Sequence, residues 1–436
     1  MNYKPQQGGI TMGTNGRFIT IDREGPLSAK LKVVGVGGGG CNAVESMIKR
    51  GLSGVQYIAV NTDAQVLEKS SANFKIQVGV DITKGLGAGA DPNIGRQAVE
   101  EDREKIEEAL KGSDMVFVTA GMGGGTGTGG APIVASIAKS LGALVVGIVT
   151  KPFVWEGKKR MKNAEEGIQE LRQYVDSLIV IPNDRIMNIV DGNVPVDKAF
   201  DKPNEVLYEA TRGIADIITI PGHINVDFAD VRSVMSESGE ALMGCGIASG
   251  ENRAIEAARK AINSPLLEGI SIKGAKRILL NVTSSSNMTM EEITKGNEII
   301  FQEAGEEANV IFGWVNKEEM NEYVSYTVIA TGFDRAENKK VFGVPQEEET
   351  EKRHRKVESI DFSFAHEVGF GSGNLEEPTI SRVSRAKMKT DEEPLFPSPK
   401  ERIEQLNIFE DEEKKKKVES KYDDEDTSAF LRMMMD

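Results

Sequence analysis

The ten residues GMGGGTGTGG at 121–130 hold the chain's densest potential for gripping an anion. Glycines let main-chain N–H groups approach a phosphate closely, because no Cβ stands in the way. Gly121, Gly123, Gly124, Gly125 and Gly127 supply that freedom, and Thr126 and Thr128 can add hydroxyl donors. An apolar run at 114–119 precedes the stretch, and a helix-like apolar run begins at Ala131. The glycines therefore fall between a buried strand and a helix N-terminus, whose end adds positive potential. The stretch is not a P-loop, since the GxxxxGK[ST] pattern requires a lysine that is missing here. A flexible glycine turn is the plain alternative, yet so many glycines exceed what a turn needs.

A second cluster gives the first more meaning. The run at 31–36 reads as a strand, and Gly37, Gly38, Gly39 and Gly40 lead through Cys41 and Asn42 into a helix ending near Arg50. Gly35, Gly37 and Gly40 spell GxGxxG, and Asp63 stands about 20 residues further on, past a strand at 55–60. That is the dinucleotide-fold pattern, and it keeps an NAD-dependent oxidoreductase open as one alternative. Two glycine-rich strand–helix turns in one domain point instead to a longer phosphate chain held from two sides.

Charged side chains follow at two places. Glu156 and Arg160 are four apart in a loop after an expected strand, on the sheet edge where α/β ligands bind. They can form an intrahelical ion pair, or the arginine can clamp phosphate oxygens, and spacing leaves both open. Asp227 and Asp230, with Asn225 just before them, can project from one turn at a helix start. Taken by themselves such residues are better explained by N-capping, and spacing alone does not place them at a nucleotide.

These groups need a scaffold, and the chain supplies one. Apolar runs at 31–36, 55–60, 74–78, 114–119, 143–149 and 177–181 alternate with helical segments. Alternation at this spacing predicts an α/β fold with a doubly wound, mostly parallel sheet over 30–195. A long helix is expected within 196–222, stopped by Pro221 and Gly222. A second, smaller α/β domain at 223–335 is expected from runs at 276–282, 309–315 and 323–331 and a helix at 290–305. Residues 1–29 read as a loose polar arm. Residues 336–421 are charge-dense and aperiodic, as a disordered linker would be, with an end-to-end distance of roughly 50 Å. At 422–436, Ala429, Phe430, Leu431 and Arg432 restore apolar character, as a docking peptide would, although composition alone favours a frayed end.

Composition narrows the class. Formal net charge is −15 over 436 residues, which argues against a nucleic-acid partner and against docking on an anionic membrane. Cys41 and Cys245 are the only cysteines, as fits a reducing cytosol rather than a disulfide scaffold. No apolar run approaches membrane-spanning length, and residues 1–16 are too polar for a signal peptide.

Taken together the motifs resemble the FtsZ family, the bacterial tubulin homologues that polymerise into the division ring. The matching stretches include GVGGGGCNAVESMI at 35–48, VNTDAQVL at 60–67, LGAGADPNIGR at 86–96 and AGMGGGTGTGGAP at 120–132. TKPFVWEGKKR at 150–160, IPND at 181–184 and NVDFADVRSVMSESGEALMG at 225–244 extend the likeness, which runs almost unbroken over 30–332. The resemblance implies a GTPase whose site is completed by polymerisation. It implies that Gly38, Gly39, Gly40, Cys41, Asn42 and the 121–128 run surround the phosphates, with Asn61 and Asp63 nearby. Glu156 and Arg160 would lie near ribose and phosphate, Asn183 would read the nucleotide, Asn204 would face the guanine edge and Phe200 would stack on the base. Asn225, Asp227 and Asp230 would act on the neighbouring subunit's GTP. Mg2+ would be held through phosphates and water, with K+ as a further ion and no direct protein ligand. The implied partners are further copies head to tail, division regulators, and a membrane-tethering adaptor of the FtsA or ZipA kind bound by the terminal peptide. The implied place is the cytoplasm, at a mid-cell ring, without membrane insertion.

The sequence departs from the family pattern at several points. Cys41 stands where glycine or asparagine is common, which would set a reactive thiol beside the phosphates. Trp155 replaces a usual phenylalanine and would enlarge a ring near the sugar. Residues 284–289 are unusually polar, and the terminal peptide lacks the usual Ile-Pro before Ala429. A tubulin-like filament protein without a role in division is the other alternative. The oxidoreductase alternative suffers because His354 and His366 fall in the linker, leaving only His223 for acid–base work.

Overall fold

Near-continuous apolar strands followed by helices build the first half of the chain in a computed structural model. It describes residues 29–187, 195–220, 222, 224, 226–267 and 272–333. The expected arm, linker and terminal peptide, together with Asn225, His223 and the Phe200 side chain, lie outside the described residues. The chain divides into Met1–Pro345 with Thr427–Asp436, and Gln346–Asp426; every described residue belongs to the first unit.

In order, β1 (Leu31–Val36), α1 (Gly37–Lys49), β2 (Val55–Asn61), α2 (Ala64–Lys69) and β3 (Phe74–Gln77) come first. Short α3 (Val80–Thr83), α4 (Pro92–Glu101) and α5 (Arg103–Leu110) lead to β4 (Met115–Gly121) and α6 (Thr126–Ser140). Then follow β5 (Leu144–Lys151), α7 (Lys158–Leu171), β6 (Ser177–Pro182) and α8 (Asn183–Met187). The long α9 (Val196–Thr219) precedes α10 (Phe228–Met235), β7 (Gly239–Ala248) and α11 (Arg253–Ile262). The chain closes with β8 (Arg277–Ser284), α12 (Met290–Ala304), β9 (Asn309–Asn316) and β10 (Val324–Thr331).

The strands form one sheet in the order β3-β2-β1-β4-β5-β6-β7-β10-β8-β9. Pairing is parallel from β3 to β7, antiparallel on both sides of β10, and parallel again between β8 and β9. β7 bonds to β6 and to β10, so the sheet runs through the expected boundary between the two halves. Alternate residues of β1 and β4 enter opposite cores. Leu31, Val33, Met115 and Phe117 join the core under α1 and α9, whereas Val34, Val36, Val116 and Val118 face the core under α4 to α7. This is the two-sided burial that makes parallel strands read as unbroken apolar runs.

The helix α9 is the spine of the molecule. Its 24 residues span about 36 Å at the α-helical rise. Leu207, Ile214 and Ile217 share a core with Ala43 and Met47 of α1 and with Met243, Leu279 and Ile329 of the last four strands. A third core, between α11, α12 and the same strands, buries Tyr326 completely.

Candidate active site

Strand order reverses direction around β1, whose neighbours are β2 and β4, so the carboxyl ends of β1 and β4 flank the crevice where open α/β sheets bind ligands. Both glycine runs sit there. Helix α1 begins immediately after β1, and α6 begins just after β4. Neither Val36 nor Gly125, the residues before these helices, gives a side-chain cap, so their first N–H groups remain for a ligand. The two helix starts touch: a Cβ on Gly37, whose φ is +71°, would stand 2.6 Å from the Gly127 nitrogen.

Two glycines differ from the others in the two runs. A Cβ on Gly38 or on Gly124 would meet no protein atom within 4 Å. Nothing inside the fold asks for glycine at these positions, and both border open cleft. The space in front of them suits a ligand that approaches the backbone.

The main cleft has a volume of about 820 Å³. Gly38, Gly39, Asn42, Gly121, Glu156, Arg160, Asn183 and Asn204 all line it. A neighbouring cleft of about 810 Å³ is bordered by Gly123, Gly124, Gly125 and Thr128, and shares Glu156 and Arg160 with the first. Asn183, the first residue of α8, is buried, and its Oδ1 has no hydrogen-bond partner. A buried acceptor left open at a cleft wall is what a site awaiting a donor on its ligand looks like. Glu156 Oε2 accepts from Arg160 Nη1 at 3.0 Å, and its Oε1 accepts from the Phe153 N–H at 2.8 Å. The ion-pair reading of this spacing is therefore realised, and the pair stands where the two clefts meet.

The remaining candidates stand behind the cleft. Gly40, Asn61, Thr126 and Gly127 are buried and line neither cleft. Thr126 Oγ1 shares a 2.7 Å hydrogen bond with Thr62 Oγ1, and Thr128 Oγ1 accepts from the Gly123 N–H at 2.8 Å. These hydroxyls brace the glycine loop. Asp63 caps α2 by accepting from the Gln65 N–H at 2.9 Å.

Cys41 corrects an expectation. Its thiol faces the core, with Sγ 3.9 Å from the Asn61 Nδ2 that donates to it. Burial pushes its pKa up to about 12, and the side chain lines neither cleft, so the thiol keeps its proton and points away from the glycine-lined space. Helical phase carried this information: Cys41, Val44 and Ile48 recur at the spacing of one apolar face. The phase about 100° further round the helix gives Gly38, Asn42, Glu45 and Lys49, and this stripe lines the cleft. Glu45, Ser46, Lys49 and Arg50 are cleft residues that motif reading alone missed. Trp155 corrects another expectation: it is 68 % exposed, stacks on Phe153 at 5.3 Å and lines neither cleft.

Asp227 and Asp230 lie elsewhere. They follow the far end of α9, and about 22 Å of helix separates Asn204 from Thr219. Trp314 of β9 donates its N–H to Ile224 O at 3.1 Å and fixes the connection to α10. Asp227 caps α10, and both carboxylates are exposed.

Residues 30–191 match the GTPase domain of the Tubulin/FtsZ family, and residues 239–334 match the FtsZ family C-terminal domain. An FtsZ dimer from M. jannaschii is 45% identical over 70% of this chain and 88% of that one, with a TM-score of 0.67. The chain belongs to the FtsZ family. Two CetZ proteins of Haloferax volcanii share its fold. CetZ1 as a GDP-bound monomer is 25% identical, covering 72% of this chain and 98% of that chain with a TM-score of 0.62. CetZ2 as a GTPγS-bound protofilament is 21% identical, covering 70% and 94% with a TM-score of 0.61, a likeness of fold alone. Membership of the FtsZ family implies GTP and GDP binding and sets aside the oxidoreductase alternative. No helix among the described residues is long and apolar enough to cross a membrane.

Proposed function

We propose that this chain hydrolyses GTP in head-to-tail filaments, each subunit completing the nucleotide site of the next. The observation that carries this is the length of α9. One rod holds Asn204 at the cleft and presents Asp227 and Asp230 beyond its other end, so the parts of one site cannot meet within one subunit. A translated copy brings them together, and such a heterologous contact leaves an open filament. The 45% identical FtsZ dimer supports self-association.

On this reading the uncapped starts of α1 and α6 hold the phosphates, while Asn183 Oδ1 accepts a donor of the nucleotide. Asn204 pairs with the guanine edge, and Phe200, on α9, supplies the stacking ring. Glu156 keeps Arg160 at the phosphate end. Asp227, Asp230 and Asn225 of the neighbour orient the attacking water and accept its proton, with no covalent intermediate required. Among the described residues no group of three or more His, Cys, Asp or Glu is placed to hold a metal. Mg2+ would accompany the phosphates through oxygen and water, where it offsets their charge. K+ has no residue assigned to it.

We assign the filaments to a division ring in the cytoplasm, on the strength of the FtsZ C-terminal domain match. The terminal Ala429, Phe430, Leu431 and Arg432 would engage a tethering adaptor of the FtsA or ZipA kind. The domain limits 30–195, 196–222 and 223–335 serve as the working division of the folded part. A tubulin-like filament outside division is the second reading, favoured by the shared CetZ fold. Right-angle light scattering with parallel phosphate release tests the biochemical proposal: both signals should rise together after GTP is added. Hydrolysis at full rate below the concentration at which scattering begins would refute completion by assembly. Fluorescent fusion imaging separates ring from non-ring filaments.

A further inference from the structure

Glu205 is the residue after Asn204 and is 1% exposed, deep between α1 and α9. Its two oxygens are held by different elements. Oε1 accepts from Arg50 Nη1 at 3.3 Å, and Oε2 accepts from Lys202 Nζ at 2.9 Å. Arg50 closes α1, the helix whose start faces the phosphates; Lys202 belongs to α9. The Arg50 guanidinium also lies 5.6 Å from the centre of the Tyr208 ring on α9. Arg50 lines the cleft from one side, and Asn204 and Leu207 line it from the other.

A buried carboxylate is a poor way to add stability, since desolvation offsets most of the attraction. Its value here lies in direction. Apolar contacts between two helices tolerate sliding, whereas the Glu205–Arg50 pair joins α9 to the end of α1 at one point and fixes register, with Lys202, three residues earlier on α9, holding the other carboxylate oxygen. Moving α9 by one residue would turn Asn204 about 100° away from the cleft and pull Glu205 off Arg50. We infer that Glu205 is a positioning residue: clamped by Arg50 and Lys202, it sets the base-reading wall of the cleft against the phosphate-holding wall and thereby supports selection of the guanine base. This rests on the proposal that the cleft holds GTP with Asn204 at the base edge.

The test uses the full chain. Glu205→Leu alone leaves two cations without their partner, so it is paired with Arg50→Met, which replaces the cross-helix ion pair by apolar groups of similar size; the flexible Lys202 side chain, 13% exposed, can turn its ammonium to water. The double variant should melt near the parent temperature. Equilibrium dialysis then compares GTP, ITP, which lacks the exocyclic amine, and inorganic tripolyphosphate. The preference for GTP over ITP should shrink at least about tenfold, and tripolyphosphate, which has no base, reports how much the loss of the Arg50 charge alone weakens anion binding. Glu205→Gln, which keeps hydrogen bonding, should retain most of the preference. A folded double variant with the parent's preference overturns the inference, and so does equal weakening of all three ligands, which would mark a structural role only. If the double variant does not fold, Glu205→Gln and Glu205→Asp decide: unaltered selectivity in both, with lowered melting temperature, also overturns it. A parent chain without any preference for GTP would refute the guanine-site proposal itself.

Discussion

Asp227 Oδ1 accepts the backbone N–H of Asp230 at 2.8 Å, so one acidic residue starts the helix on which the other stands. The capping explanation of this pair and the catalytic one are therefore compatible, and substitutions can separate them. Asparagine caps helices as well as aspartate does, and alanine does not. Asp227→Asn should leave the melting temperature unchanged while phosphate release falls. Asp227→Ala should lose turnover and also about 1 kcal/mol of stability, read by denaturant titration. Full turnover in Asp227→Asn would reduce the residue to a cap.

Asp230 has no such structural duty, since its carboxylate is exposed and pairs with no cation among the described residues. We expect Asp230→Ala to bind GTP as the parent does and to lose about a hundredfold or more in turnover. Mixed with parent protein it should depress activity beyond simple dilution, because each inserted subunit silences its neighbour. Strict proportionality in a mixing curve would count against the shared site.

The glycines of the two runs should sort into two classes. A Cβ on Gly38 would enter open cleft, so Gly38→Ala should fold normally and bind GTP more weakly. A Cβ on Gly129 would lie 1.9 Å from the Pro92 carbonyl oxygen, where α4 crosses α6. Gly129→Ala should cost about 1–3 kcal/mol in stability, as overpacking does. Thermal melts beside nucleotide titrations would show the split, and a destabilised Gly38→Ala would contradict it.

The raised pKa of Cys41 makes a chemical prediction. Its thiol should resist alkylation in the folded protein at pH 8, with or without GTP, and react only after denaturation. Its folded pKa, about 12, lies above the ordinary thiol value of 9.0. Between these values the unfolded chain ionises while the folded one keeps its proton. Stability should therefore be insensitive to this group below pH 9 and fall as pH climbs toward 12. Peptide mass mapping after iodoacetamide treatment reads the labelling; rapid native modification at Cys41 would show the thiol is accessible.

Cutting the chain after Asp426 removes Phe430 and Leu431. GTP turnover and scattering should persist, and co-sedimentation with adaptor-coated vesicles should be lost. Retained binding would place the docking element elsewhere.

Much of this site was legible because phosphate-binding chemistry writes itself in glycine and in strand–helix alternation. The run at 31–36 gave β1, and the long helix expected within 196–222 is α9. What escaped was geometry hidden by close packing. β7 reads GEALMGCGIA, and its glycines break the apolar pattern that signals a strand. The structure shows their purpose: a Cβ on Gly244 or Gly246 would fall 2.1 Å from the Ala261 or Ala257 carbonyl oxygen of α11. The strand is diluted because an alanine-rich helix lies directly on it. The direction of the Cys41 thiol escaped for a different reason: nearness in sequence to a glycine turn does not fix which face of the helix a side chain joins. Which wall of the cleft faces which, as with Arg50 and Glu205, depends on contacts between residues 155 positions apart and leaves no local trace.

The separation imposed by α9 also fixes a count. If each nucleotide is served by the acidic loop of the next subunit, a dimer carries two nucleotides and consumes one. A filament of any length always keeps one idle site, at the end where a cleft meets solvent, and one idle pair of carboxylates at the other. The two tips are then chemically different objects, one holding fuel it cannot burn and one holding an igniter with nothing to light.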